Sequence, residues 1–489
     1  VAVPDGNFST TSTEREERAV GALTELRRSS PLTLTVAVTA AGIGFLYGYD
    51  LATLATALLF LESDYQLTAV ALEVVVIAVV LGEIVGAAAG GWLANAIGRK
   101  KCLVGVAAGY ALLAAISAAA VSIPMLVVAR LLLGVAIGVA IVVVPVFVAE
   151  SVPAAVRGSL LVSYGLATVC GLIAGYLIGY LLAGFGSWRL LLGLAAVPAV
   201  LVLALLPRVP DTARWYLLKG RFDEARRTLR GIEPGADADT ELAEIDRALR
   251  EERAENVGVL REMLRLPYLR ATLFVVTLGF FIQITGINAI VAYSPRIFAT
   301  LGFTGHFALL VLPALVQTAA LAAVFTSLML VDRLGRRPIL LIGIAVMVLA
   351  NLVLVAVFAS DAAGAEALPV LKFGGVLLFT VGYTFGFGAM VWVYAGESLP
   401  ARLRSMGSSA MLTANLVANA VIVGGFLSLL ESFGGAVTFG FLGVMALLSF
   451  GFVYRYAPET KGRQLEEIRH YWENECRWPD DTDAAAVPR

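Results

Sequence analysis

Ionisable residues inside apolar stretches are the first candidates for chemistry in this sequence. Asp50 lies within the apolar run that begins at Leu32, Arg130 interrupts the run Leu126–Ile137, and Glu83 sits among small residues in Leu81-Gly-Glu-Ile-Val-Gly86. An unpaired ionised side chain in hydrocarbon costs at least about 2.5–3.5 kcal/mol, so each of these needs a partner, a proton or water. Desolvation makes protonation of Asp50 accessible, whereas a neighbouring guanidinium stabilises its anion. Arg130 is the obvious cation. Asp50 is therefore expected to alternate between a protonated state and an Arg130-paired one, against the simpler reading of a permanent salt bridge fastening two helices. Glu83 is read as a possible second acid, either a proton site or a contact for a polar solute, with an interhelical hydrogen bond as the alternative. Glu73, nearer the end of the same run, reads as solvated.

Neutral polar groups form a second set. Gln283, Asn288, Asn415 and Asn419 place amides in apolar stretches, and Trp392 adds an aromatic face. Such groups can hydrogen-bond a polar solute in a pocket that excludes water. Hydrogen bonding to neighbouring helices is the other use of these amides. Enzyme chemistry is not indicated. No nucleotide loop, metal cluster or nucleophile–base constellation is evident, and Gly42-Ile-Gly44 lies inside an apolar run rather than opening a Rossmann unit. His306 and His470 are isolated, so no metal and no cofactor are expected, and Cys102, Cys170 and Cys476 are expected to be free thiols.

The elements that must position these residues follow from composition. The chain has 489 residues, 59% hydrophobic and 15% charged, with a mean hydropathy of +0.84, far more apolar than a soluble protein. Apolar runs long enough to cross a bilayer lie near 32–60, 68–94, 102–121, 124–149, 159–183 and 188–207, then near 270–299, 307–331, 338–359, 369–396, 406–430 and 435–456. The fold class is all-α membrane protein, with twelve transmembrane helices in two pseudo-symmetric six-helix bundles. The division is a segment 1–31, an N-terminal bundle 32–207, linker helices 208–268, a C-terminal bundle 269–457 and a tail 458–489, in which the stretch after Ile468 shows no folded-domain pattern. The linker is dense in charge, with apolar residues at helical spacing, and reads as amphipathic helices outside the bilayer.

Lys and Arg cluster in alternate loops: Arg99, Lys100 and Lys101; Arg157; the linker; Arg333, Arg336 and Arg337; Arg402 and Arg404. These loops are expected to be cytoplasmic, with both termini on that side of the cell membrane. On this topology the Asn7-Phe-Ser sequon is a chance match. A net charge of −1 suggests no nucleic-acid partner. The halves also repeat. Glu150-Ser-Val-Pro-Ala-Ala-Val-Arg157 and Glu397-Ser-Leu-Pro-Ala-Arg-Leu-Arg404 agree at five of eight positions, and Asn95-Ala-Ile-Gly-Arg-Lys pairs with Asp332-Arg-Leu-Gly-Arg-Arg. Parallel repeats of this kind place a solute site near the midplane between the halves, exposed alternately to each side.

From Leu32 to Ile468 the ordered motifs resemble those of the sugar porter family of the major facilitator superfamily. They are Tyr47-Gly-Tyr-Asp50; Arg130 with Gly134; Pro145-Val-Phe-Val-Ala-Glu150 and Val156-Arg-Gly158; Pro210-Asp-Thr-Ala-Arg-Trp215; Gln283, Gly286-Ile-Asn288-Ala and Tyr293; and Pro458-Glu-Thr-Lys-Gly462 with Leu465-Glu-Glu-Ile468. The resemblance implies a proton-coupled importer of a monosaccharide or related polyol, working as a monomer in a lipid bilayer. A passive facilitator is the alternative, and a sensor without useful flux a more distant one. It also implies that Gln283, Asn288, Asn415 and Trp392 contact sugar, with Asn419 as a weaker carry-over, and that Tyr293 is an outer gate or a packing residue. Glu150, Arg157, Glu397, Arg404, Arg99, Asp332 and Arg336 are expected to form a latch of ion pairs across the two halves. Departures from the family pattern at Gly165, Ile282, Ala320 and Leu416 leave the substrate open.

Overall fold

The computed structural model describes residues 30–232, 237–255, 259–360, 368–463, 465–474 and 476–478. The Asn7 sequon and the end of the tail, residues 479–489, lie outside them. Among the described residues, twelve helices are long and apolar enough to span a membrane; in hydrocarbon a helix satisfies its own backbone polar groups. In the N-terminal half they are Pro31–Tyr65, Ala69–Ile97, Arg99–Ala118, Ile123–Ser151, Val156–Phe185 and Trp188–Arg208. In the C-terminal half they are Tyr268–Ala292, Phe307–Leu334, Arg336–Ala359, Pro369–Glu397, Arg402–Val423 and Phe426–Tyr456. Side-chain caps start several of them: Ser30, Thr68, Ser122 and Ser187 accept from backbone N–H groups three residues on.

Glycine spacing sets the tightest packing. Gly82 and Gly86 of the second helix and Gly134 and Gly138 of the fourth face each other so closely that a Cβ on Gly134 would lie 2.0 Å from the Val79 carbonyl oxygen. The first and fifth helices meet in the same way, with a Cβ on Gly48 falling 1.8 Å from the Thr168 carbonyl oxygen. Helices in lipid gain little from hydrophobicity alone, so such small-residue seams hold them through close backbone contact.

The seventh span is broken. One helix, Tyr268–Ile284, ends before Gly286, and Ile287–Ala292 resumes after it. Gly286 has φ +101°, a left-handed conformation that costs glycine little. In the tenth span a π-helical turn covers Thr384–Gly388.

Outside the spans, the helices Ala213–Leu218, Phe222–Ile232 and Ala238–Glu255 share a small apolar core that includes Leu217, Leu229 and Leu242. The tail carries one short helix among the described residues. A helix at Leu465–Glu473 docks Trp472 against Phe274 of the seventh span, ring centroids 5.4 Å apart, and Glu473 accepts a hydrogen bond from the Tyr268 hydroxyl at 3.0 Å. The aromatic face of this short helix explains the docking.

Candidate functional site

Asp50 and Arg130 meet as the sequence suggests. The glycine seams fix the helices that carry them, and Arg130 donates from both terminal nitrogens to the two carboxylate oxygens of Asp50, at 2.8 and 3.1 Å. Asp50 is 3% exposed and Arg130 1%. A two-point pair of this kind neutralises both charges where hydration is absent.

Asp50 also lines a small pocket between the halves. Tyr47 and Leu51 border it from the first helix and Glu83 from the second, while Asn288 and Asn419 enter from the C-terminal half. Asn419 is 3% exposed, and its Oδ1 has no hydrogen-bond partner. Gln283 donates to Asn415 Oδ1 at 3.4 Å and leaves its own Oε1 unpartnered. A buried carbonyl oxygen without a partner is costly, and both amides keep such an acceptor free. Trp392 is half exposed and does not line this pocket. At Gly165 a Cβ would meet open space, and Ile282, Ala320 and Leu416 are buried apolar residues.

The two ends of the bundle differ. At the end away from the cationic loops, contacts cross between halves. Glu73 accepts from the Ser428 backbone N–H at 2.7 Å and shares a 2.5 Å hydrogen bond with its hydroxyl, Arg296 pairs with both Glu62 and Glu431, and Tyr176 donates to the Val291 carbonyl at 2.7 Å. Tyr293 is fully buried there, donating to the Val423 carbonyl at 2.9 Å and stacked on Phe426. Glu73 is thus a buried clamp rather than a solvated acid, because the Ser428 donors reach it from across the interface.

At the cationic end the expected cross-half latch is not formed. Arg99 donates to Glu150 at 3.1 Å, and Arg336 lies 3.6 Å from Glu397 and 3.7 Å from Asp332, each pair within one half. The reason is local. Gly98 and Gly335, at φ +103° and +94°, turn the chain so that Asp211 accepts from Arg99 N at 2.9 Å and Glu459 from Arg336 N at 3.0 Å. Those carboxylates tether each arginine to its own bundle. Arg157 is exposed, and Arg404 is half-buried with its Nε unpartnered.

Comparison with known proteins places the chain. A family model described as "Sugar (and other) transporter" matches residues 36–472. The chain belongs to the sugar porter family of the major facilitator superfamily. This sugar porter is 33% identical to the arabinose-proton symporter of Escherichia coli K12 over 91% of its own length and 94% of the relative's. It is likewise 33% identical to the galactose-proton symporter of that strain, covering 90% and 95%. Among solved structures it resembles the proton:xylose symporter XylE bound to 6-bromo-6-deoxy-D-glucose, with a TM-score of 0.74, 25% identity and 90% of this chain against 99% of that one. An inward-open form of XylE from E. coli gives a TM-score of 0.77 at 23% identity over 90% and 100%, which speaks for the fold. The family is one of transporters, not enzymes.

Sequence reasoning missed two acids of this sugar porter. Asp211 and Glu459 hold equivalent places, each after the sixth span of its half, and each is followed by a threonine that donates to the motif glutamate: Thr212 to Glu150 at 2.7 Å and Thr460 to Glu397 at 2.5 Å. The signal was present as Pro210-Asp-Thr and Pro458-Glu-Thr. Burial pushes the Asp211 carboxyl above the usual range, opposed by the backbone N–H groups of Thr212, Lys100 and Arg99.

Proposed function

We propose that this protein is a secondary active importer that moves a monosaccharide or related polyol together with protons by alternating access. The observation that carries this is the sharing of one pocket between Asp50, bound to Arg130, and amides from the opposite half. The most similar relatives named above are arabinose- and galactose-proton symporters, which supports a pentose or hexose as solute. The proton is the coupling ion, and no cofactor is required. Gln283, Asn288, Asn415 and Asn419 present amide groups to sugar hydroxyls, and Trp392 offers its ring from the tenth span once the cavity widens.

The cationic loops lie in the cytoplasm of a cell whose plasma membrane holds the protein, by the positive-inside rule, so both termini are cytoplasmic. Residues 32–207 and 269–457 act as the two rocking bundles, joined by the linker 208–268. Each bundle needs only the other to enclose the site, so a monomer suffices, without nucleic acid. On this orientation the cross-half contacts close the outer end, with Tyr293 as outer gate, and the charges at the inner end are apart. We read this as an inward-facing arrangement with Asp50 paired to Arg130. Proton entry from outside releases Arg130 from Asp50, and the inner charges, Glu150, Arg157, Glu397, Arg404, Arg99, Asp332 and Arg336, come together when the inner end closes.

One charge crossing 100 mV supplies about 2.3 kcal/mol, enough for roughly fifty-fold accumulation. Uptake of labelled L-arabinose, D-galactose, D-xylose and D-glucose into proteoliposomes, with and without a proton gradient, tests the reading. Accumulation above equilibrium only with the gradient supports symport. Entry that never exceeds equilibrium makes the protein a passive facilitator, and no entry of any sugar removes the substrate class.

A further inference from the structure

The pocket contains a carboxyl group that the Asp50–Arg130 pair does not use. Glu83 is 3% exposed, lines the pocket beside Asp50, Asn288 and Asn419, and has Oε2 without a hydrogen-bond partner. Its backbone is held rigidly. Gly82 and Gly86 on either side press against the fourth helix, and a Cβ on Gly138 would fall 2.2 Å from the Glu83 carbonyl oxygen. The backbone that carries the side chain is therefore fixed in the pocket wall. Small residues at 82 and 86 explain the packing; they do not explain an acid at 83.

The charges around it decide which form it takes. The first helix turns Asp50 and Tyr47 toward it, and the fifth turns Tyr164. The fourth contributes Arg130, whose terminal nitrogens are both engaged by Asp50. From the third helix Tyr110 donates to the Leu46 carbonyl and faces Asp50 instead. From the eleventh come Asn419 and Val423, both uncharged, and the twelfth meets the second helix at Ser428, bound to Glu73. Among the described residues, no cation pairs with Glu83. An anion there would stand unpaired in a low-dielectric wall beside a second carboxylate, which is a strongly unfavourable arrangement. The neutral acid is different. It offers one O–H donor and a carbonyl acceptor, the same pair of functions that an amide brings to a hydroxylated ring.

We propose that Glu83 is a substrate-recognition residue that binds a sugar or polyol hydroxyl as a neutral carboxylic acid, so that affinity for solute is lost when this proton leaves. This rests on the sugar-transport reading above and adds to it a proton separate from the one carried by Asp50. The O–H of Glu83 donates to one solute hydroxyl while Asn288 and Asn419 reach others from the opposite half. Solute binding is then tied to the protonation state of the pocket wall even where Asp50 cannot titrate.

The test is equilibrium binding of L-arabinose, D-galactose, D-xylose and D-glucose to the detergent-purified full chain, followed by tryptophan fluorescence from about pH 6 to about pH 9. The proteins are wild type, Glu83→Ala, Glu83→Gln, Asp50→Asn and the double variant Asp50→Asn/Glu83→Gln. Asp50→Asn removes the other titrating acid, so a fall in affinity of roughly tenfold with rising pH in that variant belongs to Glu83. Glutamine imitates the neutral acid. The double variant is expected to bind with no pH slope, and Glu83→Ala to bind roughly tenfold more weakly than Glu83→Gln at low pH. The idea is overturned if Glu83→Gln binds as weakly as Glu83→Ala, which would mean that the charge itself is needed, or if the double variant keeps the slope of Asp50→Asn. If Glu83→Ala fails to fold, the comparison of the two glutamine-bearing proteins with their parents still decides. Failure of the wild type to bind any of the four sugars at any pH instead removes the transport reading, and this inference with it.

Discussion

Asp50 and Arg130 bind each other through two hydrogen bonds with almost no access to water. Removing either partner leaves the other as a buried, unpaired ion, at a cost of about 3–5 kcal/mol where no proton relieves it. Asp50→Asn keeps the shape and removes the titrating proton. It is expected to abolish uphill uptake in proteoliposomes while sugar exchange across the membrane continues; undiminished accumulation would rule Asp50 out as the coupling acid. Arg130→Gln is expected to lose accumulation too, and to lower the melting temperature in detergent. An unchanged melting temperature would mean that the pair contributes little to holding the first and fourth helices.

At the scale of elements, the glycine seams make a sharper statement than the apolar runs. A methyl group at Gly48 meets a carbonyl oxygen at 1.8 Å, whereas one at Gly165 meets nothing. Gly48→Ala is therefore expected to destabilise the protein by about 1–3 kcal/mol through forced separation of the first and fifth helices. Gly165→Ala, placed mid-helix in open space, should be neutral or slightly stabilising. Thermal melting of the two variants in one detergent distinguishes them, and equal melting would mean that the seam is not as tight as it is drawn. The two acid caps give a second element-scale comparison. Asp211 and Glu459 accept backbone N–H groups at the starts of the third and ninth helices. Replacing either with alanine is expected to cost about 0.5–2 kcal/mol, similar in the two halves, because the geometry is repeated.

For the whole molecule, the relevant fact is the asymmetry between its ends. Cross-half hydrogen bonds and ion pairs at Glu73, Arg296 and Tyr176 hold one end shut, while Arg99 and Arg336 serve only their own bundles at the other. Weakening the closed end with Glu73→Gln and Arg296→Ala together should shift the population toward the opposite opening. Spin labels within 62–66, at the end of the first span, and 429–435, at the start of the twelfth, in a background without Cys102, Cys170 and Cys476, should move apart. Unchanged label distances would show that these contacts follow closure rather than maintain it.

Much of this was legible in the chain itself. Apolar runs of bilayer length dictate spanning helices because nothing else satisfies a backbone in lipid. The duplicated Glu150 and Glu397 motifs dictate two halves, and an acid and an arginine stranded in hydrocarbon must find each other or a proton. What the sequence could not determine was direction and partner choice. Arg99 and Arg336 carry the right charges for a cross-half latch, but which carboxylate each meets depends on Gly98 and Gly335 turning the chain toward Asp211 and Glu459. Glu73 looked solvated until the Ser428 donors came to it from a segment 355 residues away. Glu83 read equally well as a helix-to-helix bond; only the assembled pocket shows an acid beside Asp50 with an oxygen left unpaired. Composition and periodicity act along one helix, whereas a buried charge is satisfied by whatever the other eleven bring to it, and that is decided by packing.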